Sequence, residues 1–535
     1  MVQAPASEAD GHPARAGGLA LAAAIVAFGF LGSRLLGILR TVVIARAFGA
    51  SPELSAYNVA FRIPDLIFQV LAGATLASAF IPVFASVYRG EGEARAWRLA
   101  SNILTIITIA TAALCLLAFV LAPALVPLTA PGLGDEVGRS KELTDQAVSL
   151  TRMMLLSPLL FAMSGIVTGI LNGRQRFLLS ALAPMLYNLA IIFGALFLAG
   201  PFGVEGLAAG VVAGAGLHLL VQLPGLVRER MRFRPAFDLR DAPTRAVGRL
   251  MGPRVIGLAA TQFNFVISTF FASQIDDRAI SNLGFAWVIA GLPLALFGMA
   301  LATAIFPRLA EQAAAGERES LAASVSQALR IIMFLTIPAA IGVVMLRQPV
   351  TVLLLQRGEF TAADAAVTAS ALAFYCIGIV PQAGIEIHSR GFYALGDTRT
   401  PVTFAVGAVL LNLVLSALLW GPFGVEGLAA AVSIASWAEW ALLYRAYARR
   451  TGAPWREDVA ALANFAVCGA VMGLVLGGSF AFLETGGQVT SLVTGVAGAV
   501  AGAAVYAGLA SFLRLPEFVA ALERAVRLVR RGGAS

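Results

Sequence analysis

The chain has 535 residues, of which 59% are hydrophobic and 13% charged, with a mean hydropathy of +0.83. Soluble domains carry about 25% charged residues, so this balance excludes a soluble enzyme, a nucleic-acid reader and a single-anchor receptor. The net charge of +8 lies in short connections beside apolar stretches, and reads as a topology signal before a partner signal.

A membrane span takes about 20 apolar residues. On that measure spans are predicted near residues 30, 75, 112, 157, 189, 214 and 263, then 295, 334, 377, 410, 435, 470 and 500. Segment 17–32 has the length of a signal peptide with Arg15 as its basic flank. Its helical pattern runs on through Arg34 and Arg40 without a small-residue cleavage site, so it is read as the first span. The expected fold is all-α and polytopic, with about 14 transmembrane helices.

Arginine gathers in every second connection: Arg89, Arg95 and Arg98; Arg174 and Arg176; eight residues from Arg228 to Arg254; Arg308 and Arg318. The series goes on with Arg390 and Arg399, with Arg445, Arg449, Arg450 and Arg456, and with a tail from Arg514 to Arg531. The intervening connections are nearly bare. By the positive-inside rule both termini are expected in the cytoplasm of a cell (inner or plasma) membrane.

The chain is also duplicated. GPFGVEGLAA stands at 200–209 and again at 421–430, and LASAFIP (76–82) returns as LATAIFP (301–307). LNGRQRF (171–177) and LGDTRTP (395–401) hold matching slots, as do Asn188 and Asn412, which are read as helix-packing amides. Each copy holds six spans, so the halves share one orientation, as in transporters built from parallel repeats. The expected organisation is an N-terminal tail (1–16), a six-helix lobe (17–227), a basic cytoplasmic linker (228–250), a second six-helix lobe (251–450), an extra helix pair (451–515) and a basic tail (516–535). Two lobes around a central cavity are a plan for alternating access.

A charge at a helix centre costs about 2.5–3.5 kcal/mol on insertion scales, so each one in a span requires a reason. Arg34 and Arg40 lie in the first span, about 240° apart around a helix. Arg62 opens FRIPDL at the head of the second, and Arg152 lies in the fourth. Guanidiniums facing one cavity suit a phosphate or pyrophosphate. The alternative is structural: Arg62 pairs with Asp65, and Arg40 snorkels to the surface. In the second half, Glu386 and Arg390 stand at helix-pair spacing around His388, and Glu439 lies in the twelfth span between Trp437 and Trp440. These three, Glu386, His388 and Glu439, are coupling candidates, against a default of helix pairing and packing. The three histidines and three cysteines are scattered, no Gly-rich phosphate loop follows a strand, and neither a metal, a cofactor nor an enzyme activity is expected.

FRIPDL with ATLASAFIPVF (61–84), LPLALFGMALATAIFPRL (292–309), QRGEFTAADAAVTASAL (356–372) and RGFYALGDTRTPV (390–402), in this order, resemble the MurJ (MviN) lipid II flippases of the multidrug/oligosaccharidyl-lipid/polysaccharide exporter superfamily. The resemblance runs from about residue 17 to 450. It implies a cargo of undecaprenyl-pyrophosphate-linked peptidoglycan precursor, carried from the cytoplasmic to the periplasmic leaflet, with Arg34, Arg40 and Arg62 as cavity residues. Against the family pattern, Phe68, Gln69 and Gly73 replace an arginine pair and an acid, and Trp287 and Val288 replace Asp-Arg. Thr41 stands where an acid often follows the first-span arginine, and Asn264 and Ser268 stand where a sodium-binding aspartate is described. The expected partners are the lipid-linked precursor, membrane lipids and cell-wall synthesis proteins, with a monomer as the functional unit. A flippase of another polyprenyl-linked glycan, a drug exporter of the same superfamily and a non-transporting cell-wall scaffold are the alternatives.

Overall fold

The structure, a computed structural model, describes residues 13–71, 74–480, 487–520 and 522–523. The first twelve residues, Gly73 and the tail arginines from Arg524 onward lie outside the described residues. Among those described, every regular element is a helix: α1 (Pro13–Phe48), α2 (Pro52–Leu71), α3 (Ala74–Gly90), α4 (Glu93–Thr129), α5 (Ser140–Met154), α6 (Leu156–Gly173), α7 (Phe177–Phe193), α8 (Ala199–Leu220) and α9 (Leu223–Arg228). There follow α10 (Ala242–Ala272), α11 (Ala279–Pro293), α12 (Ala300–Ala314), α13 (Arg318–Met345), α14 (Arg347–Leu355), α15 (Ala362–Ala394), α16 (Arg399–Thr451), α17 (Trp455–Phe480) and α18 (Gln488–Phe512). Wide π-helical turns at Gly194–Leu198 and Leu294–Met299 join α7 to α8 and α11 to α12.

Ten helical runs among the described residues are long and apolar enough to cross a membrane. Their outward faces are apolar rather than charged: Leu116 is 66% exposed and Val120 63% on α4, and Val493 is 62% exposed on α18. Water would not tolerate so much apolar surface, whereas acyl chains solvate it. The protein is a multi-pass membrane protein.

Two of the ten runs are far too long for one crossing. Phe177–Arg228 has 52 residues and Arg399–Thr451 has 53, which as straight helices would reach about 80 Å against a hydrocarbon core of roughly 30 Å. Each folds back at one glycine of the duplicated decamer: Gly203 at φ 57°, ψ −140° and Gly424 at φ 54°, ψ −134°. An L side chain rarely adopts that conformation. Three residues on, a Cβ on Gly206 would lie 2.4 Å from the Leu198 carbonyl oxygen, and one on Gly427 would lie 2.3 Å from that of Leu419. The repeated motif therefore encodes a hairpin with almost no loop, one glycine making the turn and the other letting its arms meet.

The chain forms two compact units. Among the described residues, the first takes in those within 13–43, 63–121 and 150–255, and the second those within 44–62, 122–149 and 256–523. In the first, Phe80, Phe84, Trp97 and Ile166 build a buried core across α3, α4 and α6. In the second, α15 packs along the distal half of α16, where Gly378, Gly384 and Gly391 receive Ser433, Trp440 and Tyr447. The α16 residues recur every seven, the period of a left-handed helix pair whose backbones approach closely. Asp458 at the start of α17 is 1% exposed and accepts bonds from Arg330 Nε (2.8 Å), Ser326 Oγ (2.9 Å) and the Tyr444 hydroxyl (2.9 Å). That network ties α17 to α13 and α16.

Candidate functional site

In the second unit, Arg62 comes from the first part of α2, just ahead of Pro64, which removes a backbone donor from the helix. Its Nε donates to Thr269 Oγ1 at 3.1 Å, and its guanidinium lies 5.2 Å from the centre of the Phe265 ring. Phe265 and Thr269 are four residues apart on α10 and so share a helix face. Trp287 of α11 meets Phe265 edge-on at 5.5 Å and 89°, and Tyr375 of α15 at 5.3 Å and 77°. Tyr375 lies within electrostatic reach of Arg62. Nearby along the same helices, Ser281 Oγ shares a 3.0 Å hydrogen bond with Ser55 Oγ and accepts from Asn58 Nδ2 at 3.1 Å. A cation is thus held by a hydroxyl and an aromatic face beside a fixed aromatic wall.

The other arginines belong to the first unit. Arg34 is exposed on α1, its guanidinium 5.2 Å from the Phe30 ring centre. Arg40 is half-buried, and it and Asp65 act electrostatically on Tyr187 of α7. Arg152, at the end of α5, donates from Nε to the Phe119 carbonyl at 3.1 Å and lies 4.9 Å from that residue's ring centre. It is fastened to α4, an arrangement that also serves packing.

Among the coupling candidates, Glu386 forms an ion pair with Arg390, whose Nη2 also donates to Thr303 Oγ1 at 3.2 Å. His388 is 1% exposed; its Nδ1 lies 2.8 Å from the Gly384 carbonyl, and Trp440, Tyr444 and Tyr447 surround the ring edge-on. Glu439 is half-buried in α16 and forms no hydrogen bond or ion pair with any described residue. Asn412 donates to Asn264 Oδ1 at 3.0 Å, and Asn188 donates to the Pro184 carbonyl at 3.0 Å and to that of Ser33 at 3.4 Å. Asn264 thus faces another amide. Among the described residues no group of three or more His, Cys, Asp or Glu side chains is placed to hold a metal ion.

Thr269, Phe265 and Tyr375 were not singled out from sequence. The signal was thin: the face that Phe265 and Thr269 share at i,i+4 spacing gains meaning only once Arg62 is known to approach it.

The profile of the family described as "Lipid II flippase MurJ" matches residues 44–498. This chain belongs to that family. A "Lipid II flippase MurJ" of Burkholderia cenocepacia is 32% identical over 424 residues, covering 78% of this chain and 81% of the relative. A "Probable lipid II flippase MurJ" of Rhizobium meliloti is 31% identical over 443 residues, covering 80% of each. Among solved structures, "Lipid II flippase MurJ, inward closed conformation" superimposes with a TM-score of 0.77 at 23% identity, covering 91% of this chain and 98% of that one. An inward-facing MATE family transporter of the MOP superfamily gives 0.65 at 17% identity, over 79% and 95% of the two chains. At these identities the structures speak for the fold alone, and they agree on it.

Proposed function

We propose that this protein moves lipid II, the undecaprenyl-pyrophosphate-linked peptidoglycan precursor, from the cytoplasmic to the outer leaflet of the cell membrane. The family match across residues 44–498 carries this reading. The transport is non-covalent: the headgroup is taken up by cations in one state and released in another, with the two six-span repeats as moving bodies. Arg34, Arg40 and Arg62 supply those cations, and guanidiniums suit a pyrophosphate because their paired N–H groups match its oxygens. Arg152 is the fourth candidate, its Nε engaged with the Phe119 carbonyl. The arginine-rich connections orient the chain with both termini in the cytoplasm. A single chain, containing both repeats, is the functional unit.

Energy comes from the membrane potential, about 2.3 kcal/mol per charge per 100 mV, or from an ion taken up by Glu439. Glu439 is favoured over Glu386 and His388 because it alone of the three lacks a protein partner among the described residues. A second reading, another polyprenyl-linked glycan as cargo, draws on Trp287 and Val288, which stand where the family pattern has Asp-Arg.

The test is complementation of a bacterium depleted of its own lipid II flippase, with membrane levels of every variant checked. Rescue by the wild type, lost in well-inserted Arg34→Ala, Arg40→Ala and Arg62→Ala, is expected. Failure of the well-inserted wild type would turn the assignment toward another glycan or a scaffold. Rescue by all three variants would keep the function and remove the site.

A further inference from the structure

We infer that Trp287 is a cargo-recognition residue, an aromatic platform for the sugar that follows the pyrophosphate. The inference deepens the flippase reading and rests on it. Three observations carry it. Phe265 and Tyr375 meet the Trp287 ring at near right angles and fix its orientation. The ring is nonetheless only half-buried, and its indole N–H has no hydrogen-bond partner among the described residues. And the same Phe265 that braces it carries the Arg62 guanidinium on its face.

Another tryptophan of this unit is placed differently. Trp437 donates its indole N–H to the Ile377 carbonyl at 3.1 Å. An indole in an apolar setting normally finds such a partner, because an unmade hydrogen bond is costly. Trp287 keeps its donor unused next to a cation. That pairing matches a phosphosugar: the guanidinium takes phosphate oxygens, the apolar C–H face of a pyranose lies on the indole, and the N–H reaches a hydroxyl or acetamido oxygen. A polyprenyl tail would use the ring but leave the donor and the arginine idle, so the sugar is the better occupant.

The experiment measures binding of two purified lipids, lipid II and sugar-free undecaprenyl pyrophosphate, to the full-length protein in detergent. Trp287→Leu should weaken lipid II by about tenfold, the loss usual for one well-placed aromatic contact, and leave undecaprenyl pyrophosphate unchanged. Trp287→Phe, which keeps an aromatic face and the packing against Tyr375, should retain more lipid II affinity than Trp287→Leu. It guards against a variant that simply misfolds. Arg62→Gln should weaken both lipids. Equal loss of both lipids in Trp287→Leu would place the tail, not the sugar, on the ring and overturn the inference. So would unchanged lipid II binding in both Trp287 variants, with the flippase reading left standing. A wild type that binds neither lipid would overturn that reading and the inference with it.

Discussion

The duplicated decamer makes the sharpest prediction, because the same chemistry is tested twice in one chain. In Gly203→Ala the new Cβ would meet only Glu205 Oε2, at 3.5 Å, an ordinary contact. The effect is therefore backbone strain, about 1–3 kcal/mol for a side chain held at that φ/ψ. For a domain of this size that is a fall in Tm of roughly 2–12 °C. Gly206→Ala acts differently. Its Cβ would stand 2.4 Å from the Leu198 carbonyl oxygen, against a comfortable C···O approach of about 3.3 Å. The two arms must part by about 1 Å, and the loss should be at least as large. Gly424→Ala and Gly427→Ala should reproduce the pair, and Gly203→Ala with Gly424→Ala should add within about 0.5 kcal/mol because the sites belong to different compact units. Gly200→Ala is the control: nothing lies within 4 Å of its Cβ position, and a helical alanine there is neutral or stabilising by up to about 1 kcal/mol. The assay is thermal unfolding of purified protein in detergent. Gly203→Ala melting with the wild type, or Gly200→Ala falling by as much, would refute the one-residue turn.

Other expectations follow from single side chains. Asp458→Ala strips Arg330, Ser326 and Tyr444 of a shared acceptor and should cost about 3–5 kcal/mol, toward the lower end because Glu457 still reaches Arg330 at 3.1 Å; replacing Arg330 and Asp458 together by Met and Leu should recover much of it in the same melting assay. Burial pushes the Asp276 carboxyl, in the α10–α11 connection, above the usual carboxylate range, and the Glu136 and Asp277 carboxylates add to this against the Arg278 and Ala279 amides. Its ionised form is thus disfavoured in the folded state. Stability should fall as pH rises from the unfolded carboxylate value, near 3.9, through the raised folded one, and Asp276→Asn should flatten that limb of a Tm-against-pH curve. Arg152→Ala should lower Tm by a few degrees while supporting growth in the complementation assay, since the side chain is fastened to Phe119; loss of growth at normal membrane levels would restore it to the cargo site.

Much of the fold was legible because lipid imposes a coarse rule: a helix must be long and apolar, and ten helical runs among the described residues meet it. The repeat was legible too, though not its meaning. Ten identical residues announce a duplication, whereas the turn they build depends on a φ sign that composition does not carry. The site was less legible for a related reason. Arg62 stood out as a charge in an apolar stretch, but its neighbours Thr269, Phe265 and Tyr375 are ordinary residues of apolar helices, brought to it from 200 or more positions away. The Glu386–Arg390 pair could be read at its spacing, since i,i+4 partners need no tertiary knowledge. The environment of Glu439 could not, because a missing partner is a property of everything packed around it.

The fold-back at Gly203 and Gly424 also dictates where this protein can be handled. A reversal made by one residue leaves no slack in which to splice a tag, an epitope or a protease sequence, so the intact decamers should reject insertions. The stretch 235–237, which has no regular structure and lies between the Arg234 and Asp238 backbone groups held by Ser101 and Asn102, with Phe237 59% exposed, is where foreign sequence belongs.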